Sequence, residues 1–169
     1  MVTPSYILGL TDGEGCFLVS LRQDNRIDLR FFIVQAIGNR LLLEEVQRFF
    51  NVGTVYQKSD RKGRLPACIF EVTKRDDIYN VIIPFFKKHK LIGTKFISFS
   101  VFAEIAEIVK GRMDKRKLTK KELEYITQLK LGMNKHYGSP DAVKSARQVG
   151  TRNSFKLSQS VKSIKLEIP

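Results

Sequence analysis

The sequence is short of the groups that build several kinds of site. It has two cysteines, Cys16 and Cys68, and two histidines, His89 and His136. Two cysteines make neither a disulfide framework nor a zinc site, and both read as small buried or half-buried thiols. With so few histidines a structural zinc is not expected. No apolar run reaches the roughly 18 residues of a membrane span. The N-terminus has no charged region followed by an apolar one, so no signal peptide is expected either. Acidic residues are also scarce, 17 Asp/Glu against 30 Lys/Arg.

That imbalance leaves a net charge of +13, and its distribution says more than its size. Residues 110–169 hold 15 Lys/Arg and 5 Asp/Glu, whereas residues 1–109 hold 15 and 12. A basic excess of this kind favours a polyanion partner, most often nucleic acid. No basic amphipathic helix with exposed bulky apolar residues stands out, which argues against a membrane surface. With 169 residues and 43% hydrophobic content, the chain can bury one core or pack two small units together.

One stretch organises the rest: Tyr6-Ile7-Leu8-Gly9-Leu10-Thr11-Asp12-Gly13-Glu14-Gly15-Cys16-Phe17. Read as a helix capped by Ser5 or by Thr3-Pro4, it puts Gly9 and Gly13 on one face, where another helix backbone can approach closely. The helix is expected to stop at Gly13 or Gly15. Alternation then predicts strands over 16–23 and 27–36, with Leu29, Phe31 and Ile33 inward and Asp28, Arg30, Phe32 and Val34 outward. A helix follows from Gly38-Asn39, with Leu41, Leu42, Leu43, Val46, Phe49 and Phe50 on its apolar side. Strands over 54–58 and 67–73 form a second hairpin, whose tip carries Arg61, Lys62 and Arg64. A helix opens at Arg75, Pro84 begins a new turn, and a longer helix runs over 95–110. Thr119 and Glu122 form a capping box for a last helix. Residues 136–169 are a basic, Ser-rich extension, expected to contact DNA or pack on a single domain of residues 1–135. A short strand within 158–168 is not forced on it.

Ile7-Leu8-Gly9-Leu10-Thr11-Asp12-Gly13-Glu14-Gly15 resembles the motif of the LAGLIDADG homing endonucleases. The helix–hairpin order, Phe31-Phe32-Ile33-Val34-Gln35 and a lysine near residue 95 strengthen the resemblance, which covers about residues 5–135. Leu8, Thr11, Gly13 and Glu14 depart mildly from the motif. The fold implied is α+β, an α-β-β-α-β-β-α unit with extra C-terminal helices and a saddle-shaped antiparallel sheet. Only one copy of the motif is present, and single-motif members of the family act as symmetric dimers. Leu8, Gly9, Asp12 and Gly13 would form that contact. The resemblance implies a Mg²⁺-dependent endodeoxyribonuclease, with Mn²⁺ able to substitute. It would cut both strands of a long, roughly palindromic DNA, leave short 3′ overhangs and so mobilise its intron. The alternative is a maturase of the same fold that binds intron RNA, and a third reading is a basic DNA-binding module without catalysis. The gene would be read in a chloroplast or mitochondrion, or otherwise in a prokaryotic cytoplasm.

The resemblance also names residues. Glu14 would hold metal, with the backbone carbonyl of Gly13. Gln35 would position water or the metal shell, and Lys95 would stabilise charge at the phosphate, with Lys87, Lys88 and Lys90 as competitors. His89 reads as a surface residue rather than a base. Asp12 reads as a hydrogen-bonding group near the helix end, with direct metal binding as the alternative. A charged hairpin face can enter the major groove. The candidate DNA contacts are Leu18, Ser20, Arg22, Arg26, Asp28, Arg30, Phe32, Tyr56, Lys58, Arg61, Arg64 and Cys68.

Overall fold

A computed structural model describes residues 1–58, 66–110 and 118–134. The hairpin tip with Arg61, Lys62 and Arg64, the boundary at residue 135 and the basic extension lie outside the described residues. Four strands form one antiparallel sheet in the order β1-β2-β4-β3: β1 (Gly15–Leu21), β2 (Ile27–Ala36), β3 (Thr54–Gln57) and β4 (Ala67–Val72). Helix α1 (Pro4–Glu14) precedes the first hairpin, and α2 (Arg40–Phe50) links it to the second. The α-β-β-α-β-β-α order read from the sequence is therefore the observed one.

Strict alternation decides which side of the sheet is covered. In β1 and β2, Phe17, Val19, Ile27, Leu29, Phe31 and Ile33 are buried, and the residues between them are half-exposed. The covered side meets α2 and the C-terminal helices through phenylalanine rings. Phe17 and Phe31 stack with centroids 5.0 Å apart. Phe86 meets Phe17 at 5.2 Å and Phe31 at 5.3 Å. Phe99 and Phe102 of α5 (Lys95–Lys110) reach Phe17 at 5.3 and 5.4 Å. Such pairs add about 0.5–1.5 kcal/mol each beyond the area they bury. Arg75 also anchors its helix on the sheet, donating from Nη2 to the Ile27 carbonyl at 2.9 Å.

Pro84 lies in the first turn of α4 (Ile83–Lys88), in line with the new turn expected there, but the helix reaches it without interruption from α3 (Arg75–Asp77) through a π-helical segment (Ile78–Ile82). Pro84 has no N–H to give the preceding turn, and the ladder has already shifted register, with Ile83 N–H bonding the Ile78 carbonyl. Leu41 is 72% exposed rather than packed, because two residues before Leu43 is about 200° round the helix. Leu21 has inward parity but lies exposed where β1 ends. The capping box is as read: the Glu122 carboxylate accepts the Thr119 N–H at 2.8 Å, and the Thr119 hydroxyl accepts the Glu122 N–H at 3.3 Å, opening α6 (Lys120–Asn134).

The junction of α1 and β1 has no loop. Gly15 caps the helix, donating its N–H to the Thr11 carbonyl, and is the first residue of the strand. A Cβ on Gly15 would lie 2.6 Å from Thr11 Cγ2 and 2.7 Å from the Thr11 carbonyl oxygen. Thr11 is fully buried, and its hydroxyl has no hydrogen-bond partner among the described residues. Gly15→Ala should therefore cost about 1–3 kcal/mol by overpacking. Thr11→Val, which exchanges an unpaired hydroxyl for a methyl, should leave stability unchanged or raise it by about 1 kcal/mol. Urea midpoints measure both.

Candidate active site and nucleic-acid interface

Helix α1 begins with Thr3, whose hydroxyl accepts the Tyr6 N–H at 3.2 Å, and with Pro4 in its first turn. Of the two caps read from the sequence, Thr3 is the one used. Ile7 and Thr11, one turn apart, are buried against the sheet. The opposite side is open, since a Cβ built on Gly9 or Gly13 meets nothing within 4 Å. Leu8 is half-buried against the chain's own core. Of the four residues expected at a dimer contact, Gly9 and Gly13 alone are bare and outward.

The two carboxylates of the motif have different surroundings. Asp12 accepts two backbone N–H groups of its own chain, from Ile92 at 3.2 Å and from Gly93 at 3.3 Å. Its carboxylate is thus turned to the loop before α5. A Cβ on Gly93 would lie 3.1 Å from Asp12 Oδ1, so the small residue there permits the contact. Glu14, the last helical residue, is exposed and makes no hydrogen bond or ion pair among the described residues.

Gln35 and Lys95 come to the same end of the sheet. Gly15 pairs with Ile33, so antiparallel counting sets position 35 level with position 13. Gln35 shares the parity of Ile33 but is half-exposed, because β2 continues there beyond the start of β1. Its Oε1 accepts from Asn39 Nδ2 at 2.8 Å, which orients the amide. Lys95 is half-buried at the first position of α5, two residues past the loop that Asp12 holds. Burial pushes the Cys16 thiol above its ordinary pKa, and the positive charges of Lys95 and Arg30 partly oppose this. Lys95 thus acts electrostatically on the residue two beyond Glu14. Among its competitors, Lys87 pairs with Glu107 at 3.3 Å. That acid lies twelve residues along α5 from Lys95, about 18 Å along the axis. Lys88 and Lys90 are exposed, and the His89 ring packs on Phe85 at 4.9 Å.

The other side of the sheet carries most of the candidate DNA contacts. Leu18, Ser20, Asp28, Arg30 and Phe32 all face it, Arg22 and Arg26 lie exposed where the first hairpin turns, and Tyr56 and Lys58 are exposed on the second. Arg61 and Arg64 lie outside the described residues. Cys68 is a correction: it is fully buried, because it shares parity with Phe70 and Val72, and its thiol reaches the Ala36 carbonyl at 3.4 Å. Burial also raises its pKa. Glu71 was missed. It stands between Phe70 and Val72, so alternation alone places it outward, where it binds Arg30 and Tyr56.

Residues 7–106 match the family model described as LAGLIDADG endonuclease. The chain is 36% identical over 126 residues to the "Probable intron-encoded endonuclease 2" of Neurospora crassa, covering 75% of this chain and 26% of that protein. It is 32% identical over 95 residues to the "Probable intron-encoded DNA endonuclease 1" of Mycosarcoma maydis, covering 56% and 34%. The chain therefore spans only about a quarter to a third of these relatives. Among solved structures, the LAGLIDADG homing endonuclease I-GzeII in complex with its DNA target superposes with a TM-score of 0.70 at 28% identity, covering 81% of this chain and 45% of that one. The homing endonuclease I-TnaI superposes with a TM-score of 0.68 at 26% identity, covering 88% and 98%.

If the Asp12 contacts hold the loop, Asp12→Ala should cost about 1–2 kcal/mol. Amide exchange at Ile92 and Gly93 should quicken at least tenfold while the sheet amides stay protected. Unchanged exchange at those two amides would mean that the tie is not what orders the loop.

Proposed function

The chain belongs to the LAGLIDADG endonuclease family, and on that premise we propose that it is a homing endonuclease working as a symmetric dimer. It hydrolyses both strands of a long, roughly palindromic DNA and leaves short 3′ overhangs. The observation that carries this reading is Glu14, exposed and without a partner among the described residues, at the foot of a helix whose glycine face is bare. A second copy placed against Gly9 and Gly13 would bring its own Glu14 beside the first, an isologous contact. Two copies would carry +26, which suits a polyanion. The basic extension of residues 136–169 would add phosphate contacts or pack on the domain. The names of the relatives speak of intron-encoded endonucleases, which supports a gene read within an intron. The RNA-splicing alternative finds no support among them.

The donor set suits Mg²⁺, and Mn²⁺ as its substitute. Among the described residues no three His, Cys, Asp or Glu side chains gather into a cage. One carboxylate per chain, completed by phosphate oxygens and water, is an arrangement Mg²⁺ accepts. The last-turn carbonyls of α1, Gly13 among them, lie at the negative end of the helix, which also favours a cation. Glu14 and the Gly13 carbonyl would hold the metal. When bound, it supplies charge neutralisation at the scissile phosphate and makes water acidic enough to attack.

The remaining work falls to side chains of this chain. Gln35, its amide oriented by Asn39, positions the attacking water. Lys95 places a positive charge beside the phosphate as negative charge develops. Asp12 keeps Lys95 in place through the backbone of residues 92–93.

Glu14→Gln should retain affinity for the cognate duplex and lose Mg²⁺-dependent cleavage. Lys95→Ala should slow cleavage by about 10²–10³-fold. The enzyme reading fails if the wild-type chain with Mg²⁺ leaves the intronless insertion site uncut. Gly9→Leu should abolish dimerisation and cleavage together, read by the mass of the complex on DNA. A wild-type chain that stays monomeric on its cognate DNA would sink the symmetric model.

A further inference from the structure

Glu71 is an acid on the side of the sheet that would face DNA, and its carboxylate is fully engaged. Its side chain is only 12% exposed. Oε1 accepts from Arg30 Nε at 2.8 Å and from Arg30 Nη2, and Oε2 accepts from the Tyr56 hydroxyl at 3.1 Å. Arg30 also lies over the Phe32 ring, with Cζ 5.9 Å from its centroid. Phe32 is the register partner of Glu71. One cluster thus joins β2, β4 and β3 across the middle of the face. Burial first, then Glu71, holds the Tyr56 hydroxyl above its ordinary pKa, so it remains a donor.

Among the described residues, the turn end of the first hairpin has two other ion pairs. Arg22 pairs with Asp28, and Arg26 pairs with Asp24 at 2.6 Å. With Arg30–Glu71 they cancel three positive charges against three negative ones. Free arginines would bind phosphate without regard to sequence, whereas arginines held by carboxylates keep a fixed direction. An acid beside a polyanion is unfavourable unless it contributes something other than affinity, and fixed orientation supplies discrimination.

We propose that Glu71 is a specificity-determining residue: it presets Arg30 and Tyr56 so that they read one or two adjacent base pairs in each half-site. The donors of Arg30 that remain suit the O6 and N7 acceptors of guanine in the major groove. Glu71 also keeps Arg30 from neutralising a phosphate. This inference rests on the DNA-cleaving reading above.

The test is selection from a pool of duplexes with randomised half-sites, without Mg²⁺, using the wild type, Glu71→Gln and Tyr56→Phe. Glu71→Gln should flatten the base preference at one or two adjacent positions by about tenfold and leave the others intact. It should also raise affinity for unrelated DNA, because Arg30 is released. Its plot of log K against log salt should steepen by about one per chain. Tyr56→Phe keeps the Arg30 pair, so it should relax the same positions to a smaller degree. An unaltered base profile and salt slope for Glu71→Gln would overturn the inference, whatever happens to its melting temperature. If Glu71→Gln does not fold, an unaltered profile for Tyr56→Phe overturns it instead. A wild type with no base preference at all would overturn the DNA-cleaving reading, and this inference with it.

Discussion

The contact between Thr11 and Gly15 sets the position of everything at the working end of the molecule. Helix α1 passes into β1 with no intervening loop, and the strand can begin only because Gly15 leaves room for the Thr11 side chain and carbonyl. Burial of Ile7 and Thr11 on one side fixes the rotation of the helix, so Gly9 and Gly13 must face outward. Glu14, between Gly13 and the junction, has no freedom to be elsewhere. The core thus fixes the backbone of Glu14, while its carboxylate remains exposed.

The same junction divides the work between two acids two residues apart. Asp12 has two backbone donors, so its charge is used within the chain. Glu14 has none among the described residues and remains available to a ligand from outside. Through Asp12 the helix also orders the loop that precedes Lys95. Motif helix, loop and α5 therefore form one mechanical unit, although about eighty residues separate Asp12 from Gly93 in sequence. The Lys87–Glu107 pair belongs to the other end of α5 and has no part in that unit.

The sheet separates stability from recognition by alternation alone. Its covered side is a phenylalanine core shared with α2, α4 and α5. Its other side carries the Arg22–Asp28 and Arg30–Glu71 pairs. A side chain on that face can therefore change without disturbing the rings beneath it. The exception is Ile69, which has outward parity yet is buried, boxed in by its cross-strand neighbours Val34 and Tyr56.

Local physics makes much of this legible from residues alone. Period-two alternation places both hairpins, and the Thr119–Glu122 spacing places a capped helix. The motif identifies Glu14 as a candidate, and the family resemblance adds Gln35 and Lys95. Cys68 was misplaced because an isolated small residue says little about parity, whereas Phe70 and Val72 on either side of Glu71 would have shown both. The continuity through Pro84 was not legible, since a shift of helical register costs little and depends on what packs around it. By itself the sequence determined the order of elements, the inward face of the first hairpin and the identity of the acid at the helix end. Only the tertiary structure decided that Asp12 would bind a loop eighty residues away, that Lys87 would be drawn off by Glu107, and that Glu71 would bind Arg30. Those pairings depend on which backbones the packed core brings within about 3 Å of one another, and no local pattern encodes that distance.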